Sequence, residues 1–373
     1  MAEDIEREYN AVKGNAALFD FSMEGKLIIR GGRRIDFLNG IVSNDVKNLG
    51  IDEGVYAAFP DKFGRVLSDC HIHNFGDFLF VNVPFIAKNR ILEKLGEEGK
   101  LMKCDAEDAT MKYALLSIQG PKALALLEEI FNEEIILEEL QSAEKTLMIK
   151  NNGEKAAEKE QKANHSNEEK DNGETINKEN NEKTNNKGNK ETANEIKNIK
   201  ITIIKRKRSG LEGFDLLFEG KHYKEILGII LEKGKQFGMI KSSNEVHEIL
   251  RLEAGIPLFG VDFDEKTVLP EIGEKAISYT KGCYTGQEVI ARLKNIGKGN
   301  TAKKLVRLEI GCNEKLSKGT EIKKDDKKIV YITSSAYSPS LEKAVALGFL
   351  ERGFYDTTGD IRVNEITGRL HST

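Results

Sequence analysis

The pattern of apolar and polar positions predicts a mixture of short strands and amphipathic helices. Runs rich in β-branched and aromatic residues, several of them alternating with polar residues, are typical of strands. They cover residues 26–30, 66–73, 78–83 and 113–118. From about residue 298, short segments at 304–310, 328–333 and 361–363 are separated by Gly, Asn, Asp and Pro turns, which predicts a small terminal β-barrel.

Three helices follow from apolar residues at helical spacing. The first opens at Pro121, after Gly120, and places Leu124, Leu127, Ile130 and Phe131 on one face. The second carries the stripe Tyr223, Ile226, Leu227, Ile230 and Leu231. For the third, Ser242 with Glu245 predicts a capping box at its start, and Gly255 marks its end.

A polar segment interrupts this pattern from about residue 151 to residue 197. It consists mainly of Asn, Lys, Glu, Gly, Ala and Thr and buries too little apolar surface to offset its ordering entropy. The flanking residues 145–149 and 199–204 are β-branched and apolar, so we expect two hairpin strands joined by an expanded, disordered loop. A charged tail that recruits a partner is the alternative.

Composition narrows the class of protein. A chain of 373 residues has room for two or three domains, and a net charge of -4 gives no general reason to expect direct nucleic-acid binding. The four cysteines are far apart, which argues against a zinc site, a self-contained cluster site or a disulfide framework. The N-terminus lacks a signal-peptide core and no apolar run reaches transmembrane length, so we expect a cytoplasmic protein without membrane contact.

The segment 281–288 concentrates the candidate chemistry. Its residues are Lys281, Gly282, Cys283, Tyr284, Thr285, Gly286, Gln287 and Glu288. Thr285 and Glu288 predict a capping box that opens a helix over 286–294, which puts Cys283 just outside a helix N-terminus. Helix dipole and Lys281 together favour the thiolate, although a lone cysteine is otherwise a small buried apolar residue.

This segment, KGCYTGQEVIAR, resembles the signature of the YgfZ-type folate-binding proteins, which are relatives of the glycine-cleavage aminomethyltransferase. Further similar segments occur in the same order: residues 18–46, 56–69, 117–123, 250–264 and 346–352. The resemblance implies an α+β fold, with two interleaved antiparallel α+β domains and a C-terminal β-barrel arranged as a ring around a folate cavity. It also implies the domain limits, namely 1–48 with 110–250 for the first domain, 49–109 with 251–297 for the second, and 298–373 for the barrel.

The resemblance also implies a folate site. Arg251 matches the arginine that holds the ligand's glutamyl carboxylate in folate-dependent relatives. Without the resemblance, the favoured interpretation is a surface arginine paired with Glu253 or with the helix C-terminus. Asp69 matches the carboxylate beside the reactive pterin nitrogen. In aminomethyltransferases a glutamate grips the pterin ring at the position of Leu211, and here Glu212 or Asp215 could replace it only if the loop is shifted by one residue.

Two other groups of residues are open to more than one interpretation. The run 205–208, Lys-Arg-Lys-Arg, is typical of a solvated strand end, and a polyglutamate tail or a phosphate is the alternative partner. His71 and His73 alternate on one strand but lack a third metal ligand at suitable spacing, so we interpret them as structural.

Two functional hypotheses follow. The first is a monomeric folate-binding accessory protein that supports iron–sulfur cluster assembly or repair in client enzymes, including radical enzymes that modify tRNA. In it, Cys283 is the working thiol, tetrahydrofolate or a derivative is the ligand, and cluster carriers are possible partners. The alternative is an enzyme, an aminomethyltransferase that moves a one-carbon unit from an aminomethyl-lipoyl carrier to tetrahydrofolate, with Asp69 at the reacting centre.

Overall fold

The computed structural model describes residues 2–150, 196–297, 299–324, 327–355, 359–363 and 366–372. The helices are α1 Ala2–Gly14, α2 Arg34–Ile41, α3 Lys88–Met102, α4 Ala123–Phe131, α5 Tyr223–Gly234, α6 Asn244–Glu253 and α7 Gln287–Asn295. The strands are β1 Ala17–Asp20, β2 Gly25–Arg30, β3 Gly54–Pro60, β4 Val66–Asn74, β5 Leu79–Val83, β6 Asp105–Asp108, β7 Tyr113–Gln119, β8 Ser142–Lys150, β9 Ile196–Lys205, β10 Gly213–Glu219, β11 Ile240–Lys241, β12 Lys303–Ile310, β13 Glu321–Lys324, β14 Lys327–Ser338, β15 Lys343–Glu351, β16 Gly359–Val363 and β17 Ile366–Ser372.

These strands form three sheets, and the predicted α+β class is confirmed. The first sheet has the order β11-β1-β7-β10-β9-β8, the second β3-β4-β5-β2-β6 and the third β13-β14-β15-β12-β17-β16. All pairings that bear on the site are antiparallel, including β3 with β4, β4 with β5, and β5 with β2. Among the described residues, no helix is both long and apolar enough to cross a membrane.

The chain divides into two compact units. One contains residues 1–145 and 201–373, and the other contains Thr146–Lys200. The described part of the smaller unit consists of the end of β8 and the beginning of β9, and the predicted disordered loop, apart from its last two residues, lies outside the described residues. Every residue of the site described below belongs to the larger unit.

The strand β2 lies within the segment 1–48 that was expected in the first domain, and it pairs with β5 and β6 of the second sheet. One local prediction is wrong. The N-cap of α6 is Ser243, not Ser242, because the Ser243 hydroxyl accepts the backbone N–H of Val246.

The burial of β4 explains how the second sheet presents a site. Ser68, Cys70 and Ile72 are buried, and the alternating residues Leu67, Asp69 and His71 are half-buried. Successive side chains of a strand point to opposite faces, so one face of β4 packs in the core and the other carries polar groups.

Candidate functional site

A row of polar side chains crosses one face of the second sheet. Tyr56 of β3 pairs with His71 of β4, His71 with Asn82 of β5, and Asn82 with Lys26 of β2. Directly paired residues point to the same face, and Asp69 joins them because it lies two residues from His71. We call this set, Tyr56, Asp69, His71, Asn82 and Lys26, the Asp69 face.

Asp69 has one satisfied and one unsatisfied oxygen. Its Oδ2 accepts a hydrogen bond from the Tyr56 hydroxyl at 3.0 Å. Its Oδ1 is buried and has no hydrogen-bond partner among the described residues. Burial raises the pKa of Asp69 to about 6, although the Tyr56 hydrogen bond and the charge of Arg206 act against it. A buried acceptor without a partner is costly, so this oxygen is a candidate binding point for an external N–H or O–H group.

The basic run 205–208 begins at the last residue of β9. The interpretation of this run as a solvated strand end is wrong for Arg206 and Arg208. Lys207 is exposed, whereas Arg208 is buried. Arg206 is only 15% exposed in its side chain and donates from Nη1 to Oδ1 of Asn82 at 2.7 Å. Alternate residues of the run therefore face inward, as in a strand.

Arg208 is the centre of a buried ion cluster. Its Nε donates to both oxygens of Asp215 at 2.8 and 2.9 Å, and its Nη1 and Nη2 donate to the two oxygens of Glu24 at 2.7 and 2.9 Å. Its guanidinium also lies 4.0 Å from the ring centroid of Phe21. Burial raises the pKa of Glu24, but Arg208 outweighs it and lowers that pKa to about 2. The three guanidinium nitrogens of Arg208 therefore all bind carboxylates of the protein itself.

The histidines near this cluster are neutral at pH 7. Burial and the charge of Arg206 lower the pKa of His71 well below its usual value and that of His73 to about 3. In the described parts of the chain, no group of three His, Cys, Asp or Glu side chains could hold a metal ion. His73 stacks on Phe75 and contacts the ring of Phe80 at a tilted angle, in keeping with a structural residue.

The helix after Cys283 starts differently from the prediction. The N-cap of α7 is Gly286 in the left-handed conformation, with φ 79° and no side-chain capping bond, so the predicted Thr285–Glu288 capping box is wrong. A Cβ at position 286 would lie 2.3 Å from the carbonyl oxygen of Asp61. The close approach of the turn before β4 therefore requires glycine here, and this turn leads directly to Asp69.

Lys281 holds the segment to the protein. Its Nζ donates to the backbone carbonyls of Asn39, Val42 and Asn44 at 2.6, 2.8 and 2.7 Å. Burial lowers the pKa of Lys281 to about 8, against the opposing charge of Asp45. All three ammonium N–H groups donate to backbone carbonyls. No contact therefore supports the prediction that the charge of Lys281 favours the Cys283 thiolate.

The remainder of segment 281–288 is fixed around an exposed thiol. Tyr284 is buried, and the Thr285 N–H donates to the carbonyl of Gly40 at 3.2 Å. Cys283 is free and exposed, and a Cβ at Gly282 would meet nothing within 4 Å. Gln287 is half-buried and Glu288 is exposed in the first turn of α7. Anchoring residues on both sides thus keep Cys283 at the surface.

Arg251 is not open to a ligand in this structure, which gives no support to the prediction that it anchors a carboxylate. Its side chain is 0% exposed and pairs with Asp262 at 2.9 Å, whose side chain is also 0% exposed. It also donates to Glu248 at 2.6 Å and to the carbonyl of Ile256 at 3.0 Å. Arg251 thus forms structural ion pairs with the buried Asp262 and the half-buried Glu248, and Glu253 is not among its partners in the described residues.

The loop between β9 and β10 offers no carboxylate in place of the glutamate expected there. Leu211 packs against the main core. Glu212 forms an ion pair with Lys205 at 3.3 Å, and Asp215 is bound by Arg208. Both acids already have cationic partners, so the structure gives no support to either of them in the role of that glutamate.

Comparisons with known proteins establish the class. The family model described as GCVT N-terminal domain matches residues 1–147, and the model described as Glycine cleavage T-protein C-terminal barrel domain matches residues 303–372. The chain belongs to the aminomethyltransferase superfamily. This confirms the superfamily part of the resemblance and the folate-related type of fold.

Individual relatives are distant but cover nearly the whole chain. Proteins named Aminomethyltransferase from Thermoanaerobacter sp. (strain X514) and Thermosipho melanesiensis are 24% and 26% identical to it, over 97% and 98% of this chain and 85% and 86% of theirs. The crystal structure of glycine cleavage system aminomethyltransferase T from Bartonella henselae matches with a TM-score of 0.75 and 17% identity, over 99% of this chain and 88% of that one. The structural match supports the fold.

The sequence pointed to Asp69, to Cys283 and to the run that contains Arg206, whereas Tyr56, Asn82 and Glu24 were not expected in the site. Two signals concern Tyr56 and the inward side chain of Arg206. Positions 54, 56 and 58 of β3 alternate in register with 69, 71 and 73 of β4, and the alternation in 205–208 follows a predicted strand. Only the pairing of the strands shows that these polar positions share a face.

Proposed function

We propose that this protein is a folate-binding accessory protein of the aminomethyltransferase superfamily that supports iron–sulfur cluster assembly or repair in client enzymes through Cys283. The observation that carries the proposal is the use of segment 281–288. Lys281, Tyr284 and Gly286 are committed to anchoring, and Cys283 is exposed between them. A thiol held at the surface by buried neighbours can reach another protein.

The proposed ligand, tetrahydrofolate, fits the Asp69 face. A reduced pterin carries ring N–H groups, and Asp69 Oδ1 is a buried acceptor that lacks a donor within the described residues. A carboxylate with a pKa of about 6 is largely ionised at pH 7 and can accept such a bond. The neutral histidines His71 and His73, which alternate with Asp69 on β4, suit a flat, uncharged ring.

An exposed thiolate is a ligand for iron–sulfur clusters, and a single cysteine supplies one ligand, with client or carrier proteins supplying the others. The cluster is cargo in this proposal. We expect the protein to act as a cytoplasmic monomer, with an indirect effect on tRNA through radical enzymes that need intact clusters.

The second candidate function is aminomethyl transfer to tetrahydrofolate. It is favoured by the name that the relatives from Thermoanaerobacter and Thermosipho share. Leu211 argues against aminomethyl transfer. Without a carboxylate at this position the pterin ring is poorly fixed relative to Asp69, and positioning of the reacting groups contributes heavily to catalysis.

Purified protein separates the two functions. Given aminomethyl-lipoyl carrier protein and tetrahydrofolate, it should bind tetrahydrofolate by calorimetry but release ammonia no faster than a control without protein. Turnover of about 1 per second or faster, lost in Asp69→Asn but kept in Cys283→Ser, would make the aminomethyltransferase the correct function.

A further inference from the structure

Two arginines of the same run have different contacts. Arg208 donates to two carboxylates, and its side chain is 5% exposed. Arg206 makes one side-chain hydrogen bond within the described part of the chain, to the neutral amide of Asn82, and its closest carboxylate oxygen, in Asp215, is 3.6 Å away. Its Nε and Nη2 groups thus keep donors available on a side chain that is 15% exposed.

The position of Arg206 is at the centre of the Asp69 face. Its bonded partner Asn82 pairs with His71, which is two residues from Asp69 on β4. Its charge acts on Tyr56, Asp69, His71 and His73. Nevertheless, Arg206 and Asp69 do not form an ion pair with each other in the described contacts. The N–H groups of Arg206 and the Oδ1 atom of Asp69 therefore do not satisfy one another.

These two groups have complementary polarity. Asp69 Oδ1 needs a hydrogen-bond donor, and Arg206 has donors without acceptors. A tetrahydropterin presents both counterparts, the N–H of its reactive ring nitrogen and the neighbouring ring carbonyl oxygen, on one edge of its rigid ring. Leaving either protein group unpaired in a partly buried place would weaken the binding of a ring without that edge.

We propose that Arg206 is a specificity-determining residue that binds the ring carbonyl of a reduced pterin while Asp69 accepts from a ring N–H. This rests on the proposed function, because it takes folate as the ligand of the Asp69 face. In this proposal, a residue just after β9 recognises the ring. It takes the place of the glutamate that Leu211 replaces, and Arg251 is not needed because it is buried in its own ion pairs.

The test is anaerobic calorimetry with tetrahydrofolate and with 6-methyltetrahydropterin, which keeps the ring and lacks the glutamyl tail. Arg206→Gln should weaken both ligands by roughly 10- to 100-fold, the range for a hydrogen bond that involves a charged group. Lys207→Gln, which alters the exposed neighbour, is the matched control and should bind both ligands like the wild type. If Arg206→Gln does not fold, Arg206→Lys keeps the charge but has fewer donors, and it should still weaken both ligands by roughly tenfold.

The outcomes separate cleanly. Weakening of tetrahydrofolate alone would place Arg206 at the glutamyl carboxylate and overturn ring recognition. Unchanged affinity for both ligands in a folded variant would overturn any role in binding. A wild type that binds neither ligand would instead overturn the proposed folate function together with this inference.

Discussion

Asp69 shows how neighbours set the chemistry of one side chain. The residue alternates with buried positions on β4, which brings it to a polar face without full solvent contact. Burial raises its pKa to about 6, and the Tyr56 hydroxyl satisfies only one of its oxygens. A motif match identified the residue, but its unsatisfied oxygen depends on cross-strand neighbours and could not be predicted from one strand.

Folate binding should depend on pH through this carboxylate. The ionised form accepts a ring N–H, so affinity for tetrahydrofolate should approach its maximum above about pH 7 and fall as the pH decreases through about 6. Calorimetry between pH 5.5 and 8 measures this trend, and Asp69→Asn should be weaker and nearly independent of pH. The same slope in Asp69→Asn would assign the titration to another group.

Arg251 should stabilise the fold. Its replacement by alanine leaves Asp262 buried without its cation, and breaking a buried ion pair from one side costs about 3–5 kcal/mol. We expect Arg251→Ala to lower the free energy of unfolding by that amount in urea denaturation without ligand. Wild-type stability combined with weaker folate binding would restore Arg251 as a ligand anchor.

At the scale of elements, segment 281–288 shows where sequence patterns fail. Thr285 and Glu288 have capping-box spacing, yet α7 starts after Gly286, because this glycine in the left-handed conformation meets the turn at Asp61. Likewise, α6 is capped by Ser243, one residue beyond the predicted position. Helix existence follows from apolar periodicity, whereas the first residue depends on tertiary contacts that spacing does not encode.

Lys281 should act on the thiol by holding its loop. Lys281→Met removes three hydrogen bonds from an ammonium and leaves the buried carbonyl of Val42 and two partly buried carbonyls without this donor. We therefore expect the free energy of unfolding in urea to fall by about 3 kcal/mol. Lys275→Met, an exposed lysine six residues earlier, is the control and should change stability by less than about 0.5 kcal/mol. Equal stability of the two variants would contradict the anchoring role.

At the scale of the whole molecule, the sequence predicted the class and most strands, because alternation and β-branched runs are local. It did not predict that β2 joins the second sheet, since a strand's partner depends on distant pairing with β5 and β6. The Asp69 face could not be predicted for the same reason. Its members Lys26, Asn82, His71 and Tyr56 come together only through the order of strands in the second sheet.

The polar segment between β8 and β9 should be dispensable for folding. These strands are neighbours in the first sheet, and closing a loop costs only about 0.6 kcal/mol more for each doubling of its length. Replacing residues 151–195 with a short Gly/Ser linker should leave the melting temperature and cellular activity almost unchanged. A large loss of either would indicate that the segment docks or recruits a partner.

The most direct test of the proposed function is the activity of iron–sulfur enzymes in a strain that lacks this protein. Wild type and Cys312→Ser, which changes another partly accessible thiol, should both restore that activity. Cys283→Ser should fail to restore it while it keeps wild-type stability and tetrahydrofolate affinity, because the substitution is small and removes only the thiol. Full restoration by Cys283→Ser would contradict the proposed role of the exposed cysteine.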